Sequence, residues 1–192
     1  LALSSGNEAR VQALLSMARR GARRVLRTAD RLSRSAQLEA GTAPVTPFPI
    51  DLRGLVSRAT LEASDTEGRS SVTVTTELAD HPCMAAADAG WLGAAVAELV
   101  GQAIRAASRS VRVRVFKDGD AICVSVTDDR VAQLETSRAR FVRHGTRRDM
   151  GLDVPLVHDV ARMHGSELVL DLHDGQTEPR SVTVCMRLSA TK

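Results

Sequence analysis

The sequence predicts a two-layer α/β sandwich preceded by one long helix. Three observations carry this reading: an apolar seam at spacings of three and four from Glu8 to about Glu39, a proline-rich break after it, and a following order of helix, strand, helix, hairpin, loop, helix, hairpin. A sheet covered by helices on one face buries such a set of elements.

The first helix is amphipathic, with Val11, Leu14, Leu15, Ala18, Ala22, Val25, Ala29, Leu32 and Ala36 on one side. A seam so long and narrow exceeds what one small domain covers, so a partner helix, in this chain or another, is expected to bury it. Arg20, Arg24, Arg27, Arg31 and Arg34 form a second stripe at the same period. That stripe reads first as a solvated basic face, next as a docking face for an acidic partner, and last as a DNA contact.

Gly41 stops the helix, and TAPVTPFPI, residues 42–50, carries three prolines that no helix crosses. The chain therefore divides into a helical segment at 1–41, a stiff linker at 42–50 and a sandwich at 51–192. Asp51 suits the N-cap of a short helix from Leu52 to about Ala63, with Leu52, Leu55, Val56 and Ala59 inward. Ser71 to Leu78 alternates and is β-branched, as a strand should be, and Met84 to Ala87 reads as a second, short one. Asp88 caps the next helix, whose core face is Leu92, Val96, Leu99 and Ala103 and whose polar stripe is Glu98, Gln102, Arg105 and Arg109. Val111 to Phe116 and Ile122 to Thr127 form a hairpin around Asp118-Gly119. A polar, aperiodic stretch runs from Asp128 to Asp149, then a helix from Asp153 to Met163 closed by His164-Gly165, and a last hairpin of Glu167 to Leu172 with Ser181 to Leu188.

Composition narrows the function classes. The 192 residues are 43% hydrophobic and 26% charged, enough for a fair-sized core. Aromatics make up only 2%, with no Tyr and one Trp, so platforms for stacking bases are scarce. The net charge of +3 is uneven: arginines crowd the span from Arg10 to Arg34 against a single acid, Asp30, and the remainder is nearly balanced. Without aromatics or a known motif, that stripe is a weak basis for nucleic-acid binding, which is not expected. The three cysteines, Cys83, Cys123 and Cys185, are odd in number and lack metal-ligand spacing, as expected of reduced, intracellular, structural residues. His81-Pro82-Cys83 offers too few ligands for a metal. No run approaches the roughly 18–20 apolar residues of a membrane span, so a cytoplasmic chain without membrane contact is expected. It opens on Leu1 rather than Met, which admits a longer protein anchored in a membrane upstream.

With these elements in order the chain resembles the C-terminal region of a sensor histidine kinase. Residues 14–56, LLSMARRGARRVLRTADRLSRSAQLEAGTAPVTPFPIDLRGLV, are similar to the second helix of the dimerisation and phosphotransfer domain running through its linker into the catalytic domain. Residues 71–188 resemble the ATPase domain shared by histidine kinases, gyrase and Hsp90, the Bergerat fold. The resemblance implies a nucleotide site, and its boxes fall on this sequence in damaged form. The magnesium-holding Asn of the N box is replaced by Gln102, with Arg105 at the basic position and Glu98 where another Asn is common. Gln sets its amide about 1.5 Å further from the backbone, and magnesium tolerates little departure from octahedral geometry at about 2.0–2.1 Å. Asp128 matches the carboxylate that meets the adenine amino group, but Arg130 and Ala132 stand in place of the two glycines of that box, where backbone must approach the ligand. Phe141, in Arg140-Phe-Val-Arg143, resembles the F box of the lid. Of the second glycine box only Gly151 remains, and Asp153 offers its own carboxylate at the helix N-terminus where the family binds phosphate. None of His81, His144, His158, His164 and His173 follows the phosphoacceptor pattern.

The resemblance thus implies a degenerate, pseudokinase-like histidine kinase: a dimer through residues 8–39 that docks a response regulator or other two-component protein, with no catalytic residue, no metal and no cofactor. Glu98, Gln102, Arg105, Asp128, Phe141 and Gly151 are then a remnant site. Two alternatives stand beside it. One is an active but divergent kinase that binds ATP and magnesium; the other is a histidine phosphotransferase relaying phosphate between response regulators.

Overall fold

The computed structural model describes residues 2–129, 153–173 and 181–191. Helix α1 spans Ala2–Glu39, strand β1 Phe48–Asp51 and helix α2 Leu52–Glu67. Strands β2 (Thr73–Leu78) and β3 (Met84–Ala87) lead to helix α3 (Ala89–Ala106) and to β4 (Ser110–Asp118) and β5 (Ala121–Asp128). Helix α4 (Asp153–Met163) and strands β6 (Glu167–His173) and β7 (Ser181–Ser189) complete the described chain.

The main sheet has the order β2-β4-β5-β7-β6, parallel only between β2 and β4. Its alternation decides what lies inside. Val111, Val113 and Val115 of β4, Ile122, Val124 and Val126 of β5, and Val184, Met186 and Leu188 of β7 are all buried in one core. That core is closed by Leu52, Val56 and Ala59 of α2, Leu92, Val96, Val100 and Ile104 of α3, and Val157 and Val160 of α4. Two layers result, as the sequence predicts.

Local chemistry sets the boundaries. Asp51 accepts from the Arg53 backbone N–H and starts α2, while Gly68, at φ +57°, ends it in the left-handed conformation. Helix α2 therefore runs one turn past the expected Ala63. The missed turn holds Ser64 and Thr66, whose hydroxyls donate back to the Thr60 and Glu62 carbonyls and so stay compatible with the helix. Asp88 caps α3 by accepting from the Gly90 and Trp91 N–H groups. In the β4–β5 hairpin Asp118 pairs with Ala121, which leaves a two-residue loop with Gly119 at φ +60°.

The expected stiff linker differs at its end. Phe48–Asp51 forms a strand antiparallel to β3, with Pro49 opposite Ala86. Proline is tolerated because this small sheet has only two strands and leaves β1 at an edge.

Helix α1 begins earlier than the apolar seam predicts, at Ala2, and its Val11, Leu14, Leu15, Met17, Val25, Leu26 and Leu32 are exposed. It contacts α2 and α4, reaches Gly90 and Trp91 of α3 through Arg34, and packs Leu38 against the core. Arg20 of the basic stripe has its side chain against Gly68, and Arg23, outside the stripe, pairs with Asp65 at 3.1 Å. No described helix is long and apolar enough to cross a membrane.

Candidate functional site

Three residues of the polar stripe on α3, Glu98, Gln102 and Arg105, occupy one narrow sector, because steps of four and three residues return to nearly the same side of a 3.6-residue turn. The stripe lies at the edge of the buried face. Glu98 is 7% exposed, and the Nε2 of Gln102 is buried with no hydrogen-bond partner among the described residues.

Arg105 organises this corner. Its Nη2 lies 2.9 Å from Glu98 Oε1 and its Nη1 lies 2.6 Å from Glu67 Oε1, at the last residue of α2. Burial disfavours the charged guanidinium, but the carboxylates of Glu98 and Glu67 more than offset that and raise its pKa above the ordinary arginine value. Charge is thus neutralised from within the chain: one cation serves two carboxylates across the α2–α3 interface. Arg109, the fourth residue of the stripe, lies past the end of α3, where its backbone N–H donates to Asp129.

Asp128 ends β5 on the core-facing register, after Ile122, Val124 and Val126, and is only 3% exposed. It therefore faces the same helical layer as Glu98 and Gln102. Its neighbour Asp129 has a different task. Asp129 Oδ1 accepts from the backbone N–H groups of Ser108, Arg109 and Ser110 at 2.9–3.1 Å, tying the α3–β4 turn to the end of β5. Burial works against its ionised form, and these three donors outweigh burial and lower its pKa.

Four of the six sequence-predicted positions are therefore on one side of the sheet, and Glu98 and Arg105 are in direct contact. Phe141 and Gly151 lie outside the described residues, as do Arg130, Ala132 and the side chain of Asp153. Two residues escaped the sequence reading. Glu67 was hidden because α2 was ended a turn too early; a Gly at position 68 was the available signal. Asp129 stands next to Asp128, and its contact with the Ser108-Arg109-Ser110 turn is made across some twenty residues of chain, so it leaves no signal in the sequence.

A cleft of about 400 Å³ adjoins this corner between α1, α2 and α3. Asp30, Arg34, Arg58, Glu62, Gly93 and Glu98 are among its walls. No group of three or more His, Cys, Asp or Glu side chains among the described residues could hold a metal ion.

No protein-family model and no curated protein matches the chain. Solved structures do. The histidine kinase AdeS of Acinetobacter baumannii superposes with a TM-score of 0.64 at 12% identity, over 85% of this chain and 77% of that one. The mycobacterial sensor histidine kinase MprB gives 0.62 at 21% identity, over 76% and 98%. Full-length ShkA, solved in complex with AMPPNP, gives 0.70 at 18% identity, over 88% of this chain and 37% of its own length. At such identities the likeness is one of fold: this chain has the α/β architecture of histidine kinase ATPase domains.

Proposed function

We propose that the chain is the ATPase-like region of a degenerate histidine kinase, which serves two-component signalling as a dimeric scaffold and docks a response regulator or a similar partner. One observation carries the reading. Arg105, at the basic position of the remnant N box, is bound to Glu98 and Glu67 and so is already neutralised by the protein. Phosphoryl transfer depends on cations and backbone donors being aimed at the phosphates. An arginine committed to two carboxylates is poorly placed for that, and a Glu at position 98 adds negative charge where a triphosphate would bring more. The exposed apolar residues of α1 support dimerisation through residues 8–39. A cytoplasmic location goes with this reading.

A second reading, an active but divergent kinase binding ATP and magnesium, is favoured by Gln102. Its buried Nε2 lacks a partner among the described residues and offers a donor to a phosphate oxygen. Calorimetric titration with ATP and ADP, each with and without magnesium, separates the two. The scaffold reading expects no heat up to millimolar nucleotide; magnesium-dependent micromolar binding would overturn it in favour of the kinase.

A further inference from the structure

Helices cover one face of the main sheet, and Arg112, Arg114 and Arg187 stand exposed on the other. Such an open face of an antiparallel sheet is normally polar throughout. Here its centre is soft and apolar. Cys123 of β5 is flanked in register by Phe116 of β4 and Arg187 of β7, and Cys185 of β7 by Ser125 of β5 and Val169 of β6. Because Cys185 stands opposite Ser125, two residues along from Cys123, the two cysteines are diagonal neighbours on one face. Both are thiols. Cys123 is only 2% exposed although it points away from the helical layer, and both cysteines line a groove of about 290 Å³ on the open face.

The register decides what two such thiols can do. Diagonal neighbours on antiparallel strands stand about 7–8 Å apart, whereas a relaxed disulfide needs Cα atoms within about 4.4–6.8 Å and sulfurs about 2.05 Å apart. The spacing therefore disfavours a disulfide. An ion bonded to both sulfurs at about 2.3 Å each separates them by up to about 4.6 Å, which takes up the difference. Zinc demands four ligands, and among the described residues no third His, Cys, Asp or Glu joins this pair. A soft ion satisfied by two thiolates remains, and copper(I) is the one such ligands select. Phe116 and Val169 border the pair on either side and limit water. Arg187, opposite Cys123, and Arg114, opposite Ser125, set cations beside the negative charge that a bis-thiolate complex carries. Each arginine is held in place by a carboxylate, Asp118 at 2.9 Å and Glu77 at 3.2 Å.

We propose that Cys123 and Cys185 form a two-coordinate copper(I) site on the open face of the sheet, clamping β5 to β7. Binding one ion releases the two thiol protons to solvent and changes no oxidation state. The site goes beyond the scaffold reading and stands whichever way nucleotide titration comes out, since Glu98, Gln102 and Asp128 lie on the helical side of the same sheet. Anaerobic titration of the reduced chain against the coloured copper(I) complex of bicinchoninate tests it. The parent should withdraw one equivalent of copper(I) per chain, and X-ray absorption should show two sulfur neighbours around it. Cys123→Ser and Cys185→Ser should each lose that equivalent, while Cys83→Ser, in the core on the helical side, should keep it. If Cys123→Ser does not fold, Cys185→Ser, at the half-buried position, is read in the same way. No withdrawal by the parent, or withdrawal that persists in a folded serine variant of either groove cysteine, would overturn the site.

Discussion

Arg105 Nη2 lies 2.9 Å from Glu98 Oε1, seven residues earlier on the same helix. Two turns separate them along α3, so the arginine must lie back along the helix toward Glu98, and Glu67 of α2 holds it there. Removing the cation takes the Arg105 counter-charge from both Glu98, 7% exposed, and Glu67. Arg105→Ala should therefore lower stability by about 1–3 kcal/mol, the cost of stranding a buried polar group. Glu98→Gln combined with Arg105→Met should recover only part of the loss, because Glu98 then has no charge to balance while Glu67 still lacks its arginine. A double-mutant cycle by urea denaturation checks this, and additive losses would show that the pair is not coupled.

Asp129 makes a second, separable prediction. Its carboxylate is the common acceptor for three consecutive N–H groups at the α3–β4 turn. Asp129→Ala leaves those donors to water or to nothing and should cost about 2 kcal/mol. Asp129→Asn keeps one acceptor oxygen and should cost about half as much. Hydrogen exchange of the Ser108, Arg109 and Ser110 amides should accelerate in both variants, most in Asp129→Ala, while the amides of β7 keep their protection.

The fold was largely legible because its signals are local and redundant. Alternating valines of β4 and β5, the Asp-Gly turn, and aspartates before α2 and α3 all point the same way. What escaped is either short or made at a distance. Strand β1 is four residues, one of them Pro49, and only its pairing with β3 reveals it. The site was legible as a stripe, Glu98, Gln102 and Arg105, since helical spacing follows directly from sequence. Its chemistry was not, because the counter-charge comes from Glu67, some forty residues away in the chain on another helix. The basic stripe of α1 reads as solvated, yet its Arg34, and Arg23 beside the stripe, find partners on α3 and α2 that no periodicity displays.

Asp51 gives the pH dependence. The Arg53 side chain, hydrogen-bonded and ion-paired at 2.7 Å, holds its carboxyl at about 2, from an ordinary value of 3.8, with the Arg53 and Cys83 N–H groups assisting against burial. A lowered folded-state pKa means stability that is complete above the unfolded value and drains away as pH falls toward the folded one. Asp51 is one-third exposed, so solvent screening reduces the contribution to about 1 kcal/mol. At pH 7 Asp51→Asn should melt about 2–4 °C below the parent. The gap should persist down to about pH 4 and close between there and about pH 2. A constant gap over that range would mean that the cap, not the charge, carries the effect.

His164 admits only one neutral form. Its Nε2 accepts from the Asp88 backbone N–H at 2.9 Å, so that nitrogen must carry a lone pair. Its Nδ1 lies 2.7 Å from the Val160 carbonyl, which can only accept, so the proton must be there. The ring thus joins the end of α4 to the residue that caps α3. Long-range ¹⁵N–¹H correlation spectra at neutral pH should show His164 protonated at Nδ1 with an unprotonated Nε2. His164→Ala removes both bonds at once and should cost about 1–2 kcal/mol, read as a lowered urea midpoint. His164→Phe, which restores ring volume but neither bond, should recover little of it. A phenylalanine variant as stable as the parent, or an Nε2–H signal for His164, would show that the ring serves only to fill space between α3 and α4.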